Sequence, residues 1–114
     1  MQNTLSRMKE EKDFFNGFTV KDESGNILGY VTYIFAYYTW FGKSLYMDDL
    51  YVCPTFRGQG LGTLLINEVI NFAKENKCHK LRWQVSNWNH PAIAFYKTLG
   101  AEIDDVESNC DLLL

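Results

Sequence analysis

A glycine-rich turn between a strand and a helix constrains this chain more than any other feature. The turn reads Arg57-Gly58-Gln59-Gly60-Leu61-Gly62-Thr63. An apolar and aromatic run over 45–53 precedes it and is typical of a strand. The helical spacing of the apolar residues that follow predicts an amphipathic helix to about residue 76, carried by Leu61, Leu64, Leu65, Val69, Phe72 and Ala73. Free N–H groups and the helix dipole at such a junction favour phosphate oxygens as ligands.

The spacing of the glycines narrows the kind of phosphate ligand. A Walker A loop needs a lysine before its Ser or Thr, and Leu61-Gly62-Thr63 has none. A dinucleotide fingerprint needs G-x-G-x-x-G, whereas the glycines here follow G-x-G-x-G. Two interpretations stay open from the turn alone: a phosphate-binding loop and a helix-capping turn that happens to contain glycines.

Composition excludes several classes of protein. The 114 residues predict one domain of a globular protein, since 46% are apolar and 16% aromatic. A net charge of −3 argues against nucleic acid as the partner. The uncharged run 24–42 contains glycines and β-branched and tyrosine residues, which favour strands over a membrane span. No cluster suggests a metal site, no signal peptide is recognised, and the cytoplasm is the expected location for three widely spaced cysteines, Cys53, Cys78 and Cys110.

The order of predicted elements is β-β-β-α-β-α-β, preceded by a charged lead over 1–13 that is helical or disordered. The strands are predicted over 14–21, 27–40, 45–53 and 81–86, with a last strand near 110–114. The second strand is nearly all apolar and is predicted to be covered on both faces. A second helix over 91–99 begins after Asn89 as N-cap and ends at Gly100. This order predicts a mixed sheet with helices on its faces.

Several motifs together resemble the GNAT superfamily of N-acetyltransferases. Its coenzyme A pyrophosphate loop has the pattern Arg-x-x-Gly-x-Gly, and the resemblance extends over 16–100. Within the superfamily the chain is most similar to the diamine acetyltransferase branch, the spermidine/spermine and thialysine enzymes. The residues that carry the likeness are the spaced Trp40, Gly42 and Tyr46, the run 46–52, the segments Trp83-Gln84-Val85 and Trp88-Asn89, and the run 95–101.

The resemblance implies acetyl-CoA as cosubstrate and assigns most of its contacts. Backbone N–H groups of residues 57–63 and the Arg57 guanidinium would hold the phosphates. The pantetheine arm would lie along Leu50-Tyr51-Val52 like an extra strand, with the segment 82–84 splaying away and Asn89 touching the arm. An N–H group near Leu50 or Tyr51 would polarise the thioester carbonyl. Leu50 and Val52 are also expected to pack in the core.

Two further steps need side chains: binding of the acceptor amine and protonation of the leaving thiolate. Asp48 and Asp49 are the candidate substrate carboxylates, and strand alternation predicts that they face opposite sides of the sheet. The resemblance selects Asp48 for the amine, and a solvated acid at a strand end is the alternative. The resemblance also implies that Tyr96 is the general acid that protonates the leaving thiolate. The alternative for Tyr96 is a half-buried aromatic whose hydroxyl only binds water.

The chain departs from the branch at two points. The family begins with a strand and two helices where only fifteen residues precede Asn16 here, and its usual Glu-Asp pair is Asp48-Asp49. The resulting prediction is a GNAT fold with a shortened N-terminus that acetylates a small diamine-like acceptor in a ternary complex. The alternatives are a catalytically silent acyl-CoA-binding or interaction domain and an enzyme acting on a protein or peptide amine. A homodimer is expected, because an uncovered sheet face would expose apolar side chains between Phe14 and Trp40.

Overall fold

The computed structural model describes residues 3–107 and 109–114, which separate into two compact units between Trp83 and Gln84. The first unit holds a four-stranded sheet and two helices, and the second holds one helix and the segment after it. In chain order the elements are α1 (Leu5–Glu10), β1 (Asn16–Lys21), β2 (Ile27–Tyr38), β3 (Gly42–Val52), α2 (Leu61–Glu75), β4 (Lys80–Arg82) and α3 (His90–Thr98), with short 3-10 turns at Lys12–Phe14 and Pro54–Phe56. A mixed sheet with helices was the predicted fold class, and it is confirmed.

The sheet has the order β1-β2-β3-β4, antiparallel except for the parallel pair β3 and β4. The turn between β1 and β2 forms because the Asp22 side chain accepts hydrogen bonds from the N–H groups of Ser24 and Asn26, both at 2.9 Å. The turn between β2 and β3 closes on Gly42, whose φ of +89° would strain any other residue. These local turns hold the first three strands in sequence order.

One face of the sheet packs against α2 and forms the core. The buried strand residues on this face are Val31, Tyr33, Leu45 and Met47. The ring of Phe72 on α2 lies 5.0 Å from the Tyr33 ring, centroid to centroid. Each fully buried aliphatic side chain contributes about 1.5–3 kcal/mol to folding. The predicted helical spacing matches the face that α2 buries at Leu65, Val69 and Ala73. It differs at two positions: Leu64 is exposed, and Ile66, which the prediction left out, is buried.

The prediction that β2 is covered on both faces is wrong for its second half. β2 pairs with β1 only as far as Tyr33, and beyond that point its only partner in the described sheet is β3. Ile34, Phe35 and Tyr37 are exposed. The apolar run predicted a strand correctly, but whether its faces are covered depends on which elements pack on the sheet. None of the helices in the described residues has the length and apolar character that a membrane crossing requires.

In the second unit, α3 has the caps that the sequence predicts. The Asn89 side chain accepts from the N–H of Ala92 at 3.3 Å, and Gly100 follows the helix with a φ of +88°. The N–H groups of Gly100 and Ala101 donate to the last helical carbonyls, those of Lys97 and Tyr96.

Two predicted strands differ in the structure. β4 covers three residues where six were expected, because its parallel pairing with β3 ends at Tyr46 and Arg82. The last strand, predicted near 110–114, does not form: residues 109–114 are exposed and have no ladder partner in the described chain. An apolar run becomes a strand only where another strand offers it hydrogen bonds.

Candidate functional site

The glycine turn connects the end of β3 to α2, and two of its residues have a left-handed backbone conformation. Gly58 and Gly60 have φ values of +79° and +82°, which favour glycine. A Cβ added at either position would meet no atom within 4 Å. The turn therefore needs glycine for its backbone conformation, and the space beside it is open to a ligand.

The first N–H groups of α2 are free hydrogen-bond donors at this turn. Gly60 is the N-cap and has no side chain to cap with, and the first helical bond runs from the N–H of Leu64 to the Gly60 carbonyl at 3.0 Å. The N–H groups of Leu61, Gly62 and Thr63 find no acceptor among the described residues. These donors and the positive end of the helix dipole suit phosphate oxygens.

Arg57 connects the turn to the strand before it. Its Nε donates to the Val52 carbonyl at 3.0 Å, and its guanidinium carbon lies 5.7 Å from the centroid of the Tyr51 ring. The hydrogen bond uses one of five guanidinium donors. Arg57 therefore stands beside the glycine turn, and its contact with a phosphate stays a prediction.

The acid pair lies on a β-bulge. Tyr33 pairs with Met47 and Thr32 pairs with Asp49, so Asp48 is an extra residue without a partner on β2. The prediction that Asp48 and Asp49 face opposite sides of the sheet is therefore wrong, because strict alternation holds only where a strand has no bulge. Both acids are exposed, and neither enters the core.

Two tyrosines accompany the acids on the sheet face that points away from α2. The Tyr30 hydroxyl donates to Asp49 Oδ2 at 2.8 Å, and this hydrogen bond is the largest cause of a raised pKa for Tyr30. Burial and, to a smaller extent, the negative charge of Asp48 raise the pKa of Tyr46. Both phenols thus keep their protons at neutral pH and can act as hydrogen-bond donors.

One edge of β3 is open beside the acid pair. The pairing with β4 ends at Tyr46, so from Met47 to Val52 the strand has a ladder partner only on the β2 side among the described residues. Leu50 pairs with the fully buried Val31 and is half-buried itself, in agreement with its expected packing role. An extended molecule could lie along this edge in the manner of an added strand.

Asn89 and Tyr96 belong to the second unit. Asn89 begins α3 and uses its side-chain oxygen as the cap, while Tyr96 is half-buried near the end of the helix with its ring 5.5 Å from that of Phe95. Burial raises the pKa of the Tyr96 phenol above its ordinary value of 10.0. The phenol therefore keeps its proton at neutral pH, which a general acid requires.

The structure brings the predicted residues together in two groups. The acid pair, the strand segment Leu50-Tyr51-Val52 and the turn from Arg57 to Thr63 form one continuous strand–turn–helix in the first unit. Asn89 caps the start of α3 and Tyr96 lies about two turns further along the helix, and their role at the cosubstrate stays a prediction. No group of three or more potential metal ligands occurs within residues 3–107 and 109–114.

Tyr30 contacts the acid pair, and the sequence did not predict this contact. The antiparallel register places it opposite Tyr51 and diagonal to Asp49. No local signal marks this contact, since it depends on a register that spans nineteen positions of the chain.

Comparison with known proteins agrees with this geometry. The chain is 43% identical over 76 residues to a bovine protein named thialysine N-epsilon-acetyltransferase, a match that covers 67% of this chain and 45% of the relative. It is 32% identical over 74 residues to the human spermidine/spermine N(1)-acetyltransferase-like protein 1, covering 65% of this chain and 11% of the relative. The chain thus spans less than half the length of these curated relatives.

Solved structures share the fold. The crystal structure of an aminoglycoside acetyltransferase from an uncultured soil sample superposes with a TM-score of 0.82 at 21% identity, covering 99% of this chain and 77% of that one. The sequence pattern of the acetyltransferase (GNAT) family matches residues 2–101. The strand, glycine turn and helix described above fall within the matched residues, and the chain therefore belongs to the acetyltransferase (GNAT) family.

Proposed function

We propose that the protein is an N-acetyltransferase that moves an acetyl group from acetyl-CoA to a primary amine of a small diamine or polyamine. The observation that carries the proposal is the order of features along the chain: an acid pair, an open strand edge and a helix start with free N–H groups follow one another from Asp48 to Thr63. The family and the names of the relatives support acetyl transfer to an amine.

The cosubstrate would bind along this continuous segment. Its phosphates meet the N–H groups of residues 58–63, helped by Arg57, and its arm pairs with the open edge at Leu50-Tyr51-Val52. A strand N–H near Leu50 or Tyr51 donates to the thioester carbonyl oxygen as negative charge develops there. From the second unit, the Asn89 amide contributes a contact to the arm.

The acceptor amine must lose a proton before it attacks. An alkyl ammonium has a pKa near 10.4, so freeing its lone pair at pH 7 costs about 4–5 kcal/mol. Asp48, with Asp49 beside it, attracts the cation and takes the proton directly or through water. The amine nitrogen then bonds to the carbonyl carbon, the carbon–sulfur bond breaks, and the thiolate takes the proton of the Tyr96 hydroxyl. The nitrogen loses its second proton as the amide forms, and this proton returns the Tyr96 phenolate to the phenol through water.

A homodimer belongs to the same proposal. Aromatic side chains between Phe14 and Trp40 are widely exposed, with Phe14 at 78%, Tyr37 at 77% and Trp40 at 89%. A surface of this kind favours association with a second copy. The partner would then complete the acceptor site with the acids of its segment 102–107. Three free cysteine thiols fit a reducing cytoplasm as the place of action.

Competition between amines tests the acceptor class. Spermidine should have a kcat/KM at least tenfold above that of a monoamine of similar length, because two acids favour a second positive charge, and the preference should weaken as salt is added. Asp48→Asn should remove most of the preference. Glu68→Gln on the exposed side of α2 removes an equal charge and should leave it intact.

Two outcomes would contradict the proposal at different levels. Equal kcat/KM for both amines would remove the diamine assignment and keep acetyl transfer. Binding of acetyl-CoA without release of thiol in the presence of any amine, peptide amines included, would indicate a silent acyl-CoA-binding domain.

A further inference from the structure

The hydrogen bond between Tyr30 and Asp49 joins two neighbouring strands at the acid pair. The Tyr30 hydroxyl lies 2.8 Å from Asp49 Oδ2, and the two residues occupy diagonal positions of β2 and β3. Diagonal positions in a sheet lie about 7–8 Å apart at the backbone, a gap that a tyrosine can bridge. The bond is charge-assisted, since the acceptor is a carboxylate.

Neighbouring groups hold the Tyr30 ring in place. Its centroid lies 5.6 Å from that of Tyr51, the residue directly opposite on β3. Tyr51 in turn lies beneath the guanidinium of Arg57, which is fixed to the Val52 carbonyl. A continuous series of contacts therefore runs from the glycine turn to the Asp49 carboxylate.

In this arrangement the two carboxylate oxygens of Asp49 differ in their hydrogen bonding. Oδ2 accepts the phenol proton, whereas Oδ1 has no hydrogen-bond partner in the described part of the chain. Because Asp49 is exposed, its side chain would rotate freely without the bond to Tyr30. The bond instead holds Oδ1 in one direction, on the sheet face that Asp49 shares with Tyr30.

We propose that Tyr30 is a positioning residue, which orients the Asp49 carboxylate so that its second oxygen receives the acceptor ammonium. The inference rests on the proposed function, because it assumes that the acid pair binds an amine. It adds a residue outside the acid pair and distinguishes the two acids. Asp49 is held at a set angle, whereas the side chain of Asp48, on the bulge, has no such hydrogen bond within the described residues.

Tyr30→Phe tests the role, because loss of positioning should raise the KM for the amine and leave kcat and acetyl-CoA binding nearly unchanged. The variant keeps the ring and its packing on Tyr51 and loses only the hydroxyl. The KM for spermidine should rise about tenfold, the loss expected for a hydrogen bond to a charged group. kcat and the Kd for acetyl-CoA should change less than twofold. Ser24→Ala in the β1–β2 turn, which also removes one exposed hydroxyl but lies outside the acid pair and the aromatic surface, is the control and should leave all three constants unchanged.

A double-mutant cycle shows whether Tyr30 acts through Asp49. In an Asp49→Asn background the removal of the hydroxyl should no longer raise the KM, because the charge that it orients is gone. Equal tenfold effects of Tyr30→Phe in both backgrounds would overturn the proposal. A rise in the Kd for acetyl-CoA as large as the rise in the KM for spermidine would also overturn it, because such a result would assign Tyr30 to packing alone.

A measurement that needs no turnover checks the contact itself. The pKa of the Tyr30 phenol, followed by NMR of labelled tyrosine, should fall towards its ordinary value in Asp49→Asn, since the hydrogen bond to the negative charge raises it. An unchanged value would overturn the positioning role. If the wild-type protein acetylates no amine, the proposed function fails, whereas an active wild-type enzyme indifferent to Tyr30→Phe contradicts the positioning role alone.

Discussion

At the scale of single residues, the proposed chemistry needs a phenol that still holds its proton at neutral pH. Burial disfavours the Tyr96 phenolate and raises the pKa of the phenol, whereas the acids of β3 are exposed to water. A protonated donor is what the leaving thiolate requires.

Replacement of Tyr96 by phenylalanine should lower kcat roughly 100-fold, the usual size of a general-acid contribution, with little change in acetyl-CoA affinity. The hydroxyl is needed only when negative charge develops on sulfur. Because the pKa of Tyr96 lies above 10.0, the wild-type kcat should hold on the alkaline side and fall only above pH 10, as the phenol loses its proton. Steady-state rates between pH 6 and pH 11 would check both statements. A variant with near-normal kcat at every pH would assign Tyr96 to packing.

Residue roles on β3 were only partly predictable. The sequence places both acids on the strand and Arg57 at the glycine turn, and their roles stay predictions. Their orientation was predicted wrongly, because one unpaired residue, Asp48, resets the alternation of the strand. A bulge depends on the partner strand, so no pattern within residues 45–53 could reveal it.

At the scale of elements, the junction between β3 and α2 combines a backbone requirement with the proposed phosphate site. Gly60 has a positive φ and no neighbouring atom where a side chain would point. Any bulky side chain there would meet a bound phosphate group before it met protein. Loss of glycine should therefore affect binding as well as stability.

Gly60→Val should weaken acetyl-CoA binding at least tenfold, about 1.4 kcal/mol, by straining the turn and blocking the approach of the phosphates. Gly25→Val is the matched control, since Gly25 has a φ of +88° and equally open surroundings but lies in the β1–β2 turn. Both variants should lose stability to denaturant, and only Gly60→Val should lose affinity by calorimetry. Equal affinities in two folded variants would show that the turn does not approach the ligand.

Local patterns predicted helices better than strands. α2 ends within one residue of its predicted end, since its apolar spacing and its glycine N-cap are properties of adjacent residues. β2 and β4 ended earlier than predicted, and the strand near 110–114 does not form. A strand needs a partner at a distance along the chain, and its length is set by that partner.

At the scale of the whole molecule, the exposed aromatic side chains of β2 and of the turn after it favour association of two copies. Sedimentation equilibrium at micromolar concentration should give twice the mass of the chain. Trp40→Arg should shift the protein towards monomer by placing a charge in the contact, whereas Leu112→Arg, at an exposed position outside this surface, should not. A wild-type monomer at that concentration would rule out an acceptor site shared between two copies.

The sequence by itself determined the features that adjacent residues encode: the glycine turn, the amphipathic α2, the capped α3, the strand character of β1 to β3 and, through the combined motifs, the GNAT family. Only the tertiary structure decided where pairing stops and which side chains meet across strands. It placed the bulge at Asp48, opened the edge of β3 beyond Tyr46 and brought Tyr30 to Asp49. The physical reason is that a turn or a helix forms hydrogen bonds within a few residues, whereas the register of a sheet joins residues far apart in sequence and is set by the packing of all its strands together.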